Sequence, residues 1–135
     1  MSHEQTQKIN WKKILAAGPY PIEAFAFVQE GLQHSVQLVH DDPDASSDEQ
    51  QHISGQQLCL GLRETAIDKY GLLAPLVLEH WNIRRTNDFG RIVFAMIQAG
   101  LMSRTSDDTL DDFRSVYDFK EAFSREALLE HMGVD

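Results

Sequence analysis

From Ile22 to Val39, apolar residues recur at steps of three and four: Ile22, Phe25, Val28, Leu32, Val36 and Val39. That spacing puts them on one stripe and predicts a core helix of about five turns. Pro21 suits its first turn, where a missing N–H costs nothing, and Glu23 suits the positive end of its dipole. A shorter amphipathic stretch, Ile9 to Ala16, precedes it and stops at Gly18-Pro19.

The second half is punctuated by helix starts and stops. Ser54-Gly55-Gln56-Gln57 is a capping box, with Leu58, Leu62, Ala66 and Tyr70 along one face and Gly71 as the stop. A short helix follows over about Ala74 to Trp81, with Pro75 near its start and Asn82 suited to a left-handed exit. Thr86 reads as the N-cap of a third helix whose inner face is Phe89, Ile92, Val93, Met96 and Ile97, and Gly100 ends it. Beyond it, Leu101–Thr105 reads as a strand, Ser106-Asp107-Asp108 as turn chemistry, and Phe113–Phe119 as a strand of period two. Ser124 caps a last, thinly apolar helix containing Leu128, Leu129 and Met132.

Together these predict a mainly α (α+β) fold. A long N-terminal helix joins a three-helix core that looks like a winged helix, finished by a short two-stranded antiparallel hairpin. A chain of 135 residues with 42% hydrophobic and 24% charged residues fits one globular domain over 1–135. Its expected parts are N-terminal helices over 1–40, an acidic flexible loop over 41–52, the winged-helix-like core over 53–123 and a loose C-terminal helix over 124–135.

Charge changes this picture. The net charge of −9 divides into −5 over residues 1–53, −2 over 54–123 and −2 over 124–135. Asp41, Asp42, Asp44, Asp48 and Glu49 lie in the linker and lack the ligand alternation and central glycine of an EF-hand. A field of this sign repels phosphate and argues against nonspecific nucleic-acid binding. No apolar run approaches the roughly 20 residues of a membrane span. The first residues lack a signal-peptide pattern, and the single cysteine, Cys59, forbids an internal disulfide, so the expected location is the cytoplasm.

Candidate chemistry is sparse. No pair among His3, His34, His40, His52, His80 and His131 sits at i, i+4, so no metal site is expected. Cys59 lies one turn into a helix among leucines, which reads as packing. There is no Gly-x-Ser-x-Gly elbow, phosphate loop or dinucleotide fingerprint, so neither catalysis nor a cofactor is expected. If the third core helix entered a DNA groove, Asn87, Asp88, Gly90, Arg91, Ala95 and Gln98 would face the bases. Arg84, Arg85, Asn87, Arg91 and Arg104 are the residues able to contact nucleic acid or a partner. Asp88 and the acids Asp107, Asp108, Asp111 and Asp112 oppose a DNA role.

Several segments carry a resemblance: Tyr20-Pro21-x-Glu23-Ala24-Phe25-x-Phe27-Val28, His52-Ile53-Ser54-Gly55-Gln56, Ile83-Arg84-Arg85-Thr86-x-Asp88-Phe89-Gly90, Ala99-Gly100-Leu101 and Val116-Tyr117-Asp118-Phe119-x-Glu121-Ala122-Phe123. Together they resemble a small uncharacterised bacterial family found mainly in the planctomycete and verrucomicrobial group. The resemblance spans about Ile14 to Phe123, implies no catalytic residue, and brings no assigned activity. The expected function is therefore a non-enzymatic cytoplasmic protein-interaction module, binding an unknown protein partner or itself. A DNA-binding transcriptional regulator using the third core helix is the alternative.

Overall fold

The computed structural model describes residues 10–40, 53–102 and 110–133, with side chains at 38–40 excepted. Its helices are α1 (Trp11–Ala16), α2 (Ile22–His40), α3 (Gly55–Tyr70), α4 (Ala74–His80), α5 (Thr86–Ala99), α6 (Phe119–Ala122) and α7 (Arg125–His131). Among the described residues, Gly71–Leu73 and Leu110–Phe113 form 3₁₀ turns. The fold is mainly α, and the described residues contain no strand. The expected hairpin, and with it the winged-helix-like layout, is therefore corrected.

Local rules fix most helix ends. The Ser54 hydroxyl accepts from Gln57 N–H at 3.1 Å while Gln57 Oε1 accepts from Ser54 N–H at 3.0 Å, completing the capping box. Asn82 takes the left-handed conformation (φ 65°) and Gly100 does the same (φ 89°), where a side chain would crowd the backbone. Ser124 caps α7 by accepting from Ala127 N–H. Leu128 from that helix is buried in the core.

The α2–α3 seam departs from the simple apolar stripe. Ile22 is 56% exposed, while Ala24, Phe25, Phe27, Val28, Gly31 and Ser35 are buried. Gly31 and Ser35 on α2 meet Leu62 and Gly61 on α3. A Cβ at Gly31 would lie 2.2 Å from Leu62 Cδ2, and one at Gly61 would lie 2.0 Å from Ser35 Oγ. The backbones approach closely because these positions carry almost no side chain. The buried hydroxyls cost little, because Ser35 Oγ donates to Gly31 C=O and Thr65 Oγ1 to Gly61 C=O, each at 2.9 Å.

Helix α5 is the centre of the molecule, packing against α1, α2, α3 and the 110–113 turn. Phe89, Ile92, Val93 and Met96 are buried as expected. Each fully buried side chain of this size contributes roughly 1.5–3 kcal/mol. Leu110–Phe113 presses onto α5 so closely that a Cβ at Gly90 would meet Phe113 Cγ at 2.8 Å.

The strand expected over Phe113–Phe119 fails because its polar backbone groups find side chains instead of a partner strand. Thr86 Oγ1 donates to Phe113 C=O at 2.6 Å and accepts from Val116 N–H at 3.1 Å. Ser115 turns to φ 50°, its N–H directed to Asn87 Oδ1 at 3.4 Å, which breaks any extended run. The aromatic alternation survives as packing. Tyr117, Phe119 and Phe123 form a cluster with centroids 5.2–6.3 Å apart, and Phe119 reaches Phe89 at 5.9 Å. Of the first expected strand, Met102 and Leu101 are in a bend, and 103–105 lie outside the described residues, as do Asp107, Asp108 and the acidic loop over 41–52.

Candidate functional site

The start of α5 is built around one carboxylate. Arg85, not Thr86, occupies the N-cap position, and a guanidinium has no acceptor to offer. Asp88 caps from within the helix: its Oδ2 accepts from Arg84 N–H at 2.8 Å and Arg85 N–H at 3.2 Å. Its Oδ1 accepts from Tyr20 Oη–H at 2.5 Å. Burial, and then the bond to Asp88, push the Tyr20 phenol up to about 12.

This arrangement fixes the turn that carries Arg84 and Arg85, while the Thr86 clasp fixes the facing segment. Between them lies a groove of about 590 Å³ lined by Arg84, Arg85, Asn87, Arg114, Ser115, Tyr117, Asp118 and Phe119. Three arginines line it. No carboxylate among the described residues pairs with the side chain of Arg84 or Arg85; Arg114 has only an exposed contact to Asp111 at 3.9 Å. Such an exposed pair contributes little. Asp118 is the one acid among the described lining residues, and its Oδ1 already accepts from Lys120 N–H as the cap of α6. The Tyr117 and Phe119 rings stack at 5.8 Å along one wall.

The structure thus brings together Arg84, Arg85 and Asn87 from the expected contact set. It separates Arg91, which lies on a second, shallower groove with Lys13, Phe94, Gln98 and Leu110, and whose guanidinium sits 3.9 Å from Asp88. Arg104 lies outside the described residues. Of the positions expected to face DNA, Asp88, Gly90 and Ala95 are buried, because α1 and the 110–113 turn cover α5. Arg114 and its neighbours are the residues sequence reasoning missed. In a strand, Arg114 would alternate away from Tyr117 and Phe119, whereas the Ser115 turn gathers all three.

Two side chains, Cys59 and Tyr117, are held in their protonated forms by burial. Cys59 is fully buried, and loss of solvent pushes its thiol up to about 12. Burial raises the Tyr117 phenol well above its ordinary value, and that hydroxyl donates to Cys59 C=O at 2.8 Å. That bond ties the 113–119 segment to α3. Among the described residues, no three His, Cys, Asp or Glu side chains gather to hold a metal ion. None of the helices described is long and apolar enough to cross a membrane.

The groove lined by the three arginines is polar and rich in hydrogen-bond donors, a geometry suited to an anion. Comparison with protein-family models, with curated proteins and with solved structures gives no match, so these residues alone speak for the function.

Proposed function

We propose that the protein is a non-enzymatic cytoplasmic interaction module that holds an anionic segment of a protein partner in the Arg84–Arg85–Arg114 groove. The observation carrying this reading is the convergence of three arginines on one groove, with no carboxylate among the described residues paired to the side chain of Arg84 or Arg85. A guanidinium fork matches a carboxylate in two parallel hydrogen bonds, which gives direction as well as attraction. The aromatic wall of Tyr117 and Phe119 adds surface for the apolar parts of the same segment.

Duplex DNA is a poorer fit to the same groove. Three of the six positions on α5 that would read bases, Asp88, Gly90 and Ala95, are buried, and the carboxylates of Asp111 and Asp118 beside the arginines would repel phosphate. The test is fluorescence anisotropy of the whole chain with a labelled Glu-rich peptide and a labelled duplex. The reading expects peptide binding that weakens with salt and is lost in Arg84→Glu/Arg85→Glu. Duplex binding without peptide binding would transfer the case to the DNA-regulator alternative.

A further inference from the structure

We infer that the anion this groove selects is a phosphoryl group carried on a serine or threonine of the partner segment. The inference rests on the binding reading above and sharpens its ligand. Three forked cations around a single concavity exceed what one carboxylate can balance. A phosphoryl group brings about −1.5 to −2 charges and three acceptor oxygens to one point. The lining supplies matching donors: the guanidiniums of Arg84, Arg85 and Arg114, and the Ser115 hydroxyl. Asn87 adds its NH₂ group, since its Oδ1 is turned to Ser115 N–H.

The acids nearby discriminate between a compact dianion and an extended acidic run. Asp118 lines the groove itself, and Asp111 lies 3.9 Å from the guanidinium of Arg114. A string of glutamates still meets the arginines but binds less tightly, because some of its charges fall against these carboxylates and against a chain of net charge −9. A lone phosphoryl group flanked by neutral residues meets the arginines and leaves the acids solvated. The half-buried rings of Tyr117 and Phe119 then contact the methylene or methyl of the phosphorylated residue and its neighbours.

The test uses the full chain and three labelled peptides of identical neutral flanks, carrying serine, phosphoserine or glutamate, with inorganic phosphate as competitor. The phosphoserine peptide is expected to bind at least about tenfold tighter than the glutamate peptide, with the serine peptide silent. Arg84→Ala/Arg85→Ala should abolish the difference. Arg114→Lys, which keeps the charge but loses the fork, should reduce it. Unchanged circular dichroism in both variants separates lost binding from lost folding. Equal affinity for phosphoserine and glutamate peptides would overturn the phosphoryl assignment while leaving the anion-binding reading intact. Silence from all three peptides would overturn both. Displacement of the phosphopeptide by inorganic phosphate at equal concentration would show that the peptide carrier contributes nothing, and would overturn the partner segment. Tighter binding of a single-stranded oligonucleotide than of the phosphopeptide would do the same.

Discussion

The α2–α3 seam and the arginine groove are built from opposite materials. At the seam, Gly31, Ser35, Gly61 and Thr65 bring two helices together until side chains almost vanish, and every buried hydroxyl is returned to its own helix. At the groove, a segment without regular structure is held by hydrogen bonds from Thr86 and Asn87, and long cations are left facing water. The seam derives its strength from exclusion, and the groove its shape from a few polar clasps. Stability and the proposed recognition thus rest on different residues, so they can be perturbed separately.

The sharpest way to break that division is Leu62→Ala. Its side chain is fully buried over Gly31, and removal should cost about 2–5 kcal/mol in chemical denaturation. Gly31→Ala alone should cost about 1–3 kcal/mol by overpacking against Leu62 Cδ2. In the Leu62→Ala background the added methyl occupies the emptied space, so its cost should disappear. Additive losses in that double-mutant cycle would contradict the close contact.

Tyr20 probes the joint between the two regions. Its phenol is raised from 10.0 to about 12, so its contribution to stability is complete below pH 10. That contribution is lost as pH climbs from about 10 towards 12. The urea midpoint should fall across this window. Tyr20→Phe should flatten that part of the fall and lower stability at neutral pH by about 1.5–3 kcal/mol, as loss of a bond to a carboxylate.

Thr86→Val keeps the volume of the clasp and removes both of its hydrogen bonds. The expected loss is about 1–2 kcal/mol, and amide exchange at Val116 should accelerate while exchange within α3 is unchanged. Equal acceleration in both places would show that groove and seam open as one unit. The smallest effect belongs to Arg84→Ala. Its exposed side chain should change stability by no more than about 0.5 kcal/mol, whatever it does to binding.

Much of the helical frame was legible because local chemistry fixes it. The Ser54–Gln57 box, Asn82, Gly100 and Ser124 each satisfy or terminate their own backbone, with no need for a distant partner. The inner face of α5 was equally visible. The seam was not, since periodicity in apolar residues has no way of weighting Gly31 or Ser35 above Ile22. The 113–119 segment misled for a related reason. Its alternation of ring and polar side chains satisfies a strand, but the partner for its backbone is a threonine 27 residues earlier. Of the candidate site, Arg84, Arg85 and Asn87 were readable as neighbours in sequence. Arg114 joins them only through that long-range clasp.

Asp88 has one further consequence. A single buried carboxylate terminates α5 and fastens it to Tyr20, so the entrance of that helix requires no outside anion to be complete. The specificity proposed for the neighbouring cleft can therefore drift by exchange of solvent-facing residues, with the scaffold beneath left untouched. Descendants of this chain could acquire new targets without first having to learn a new fold.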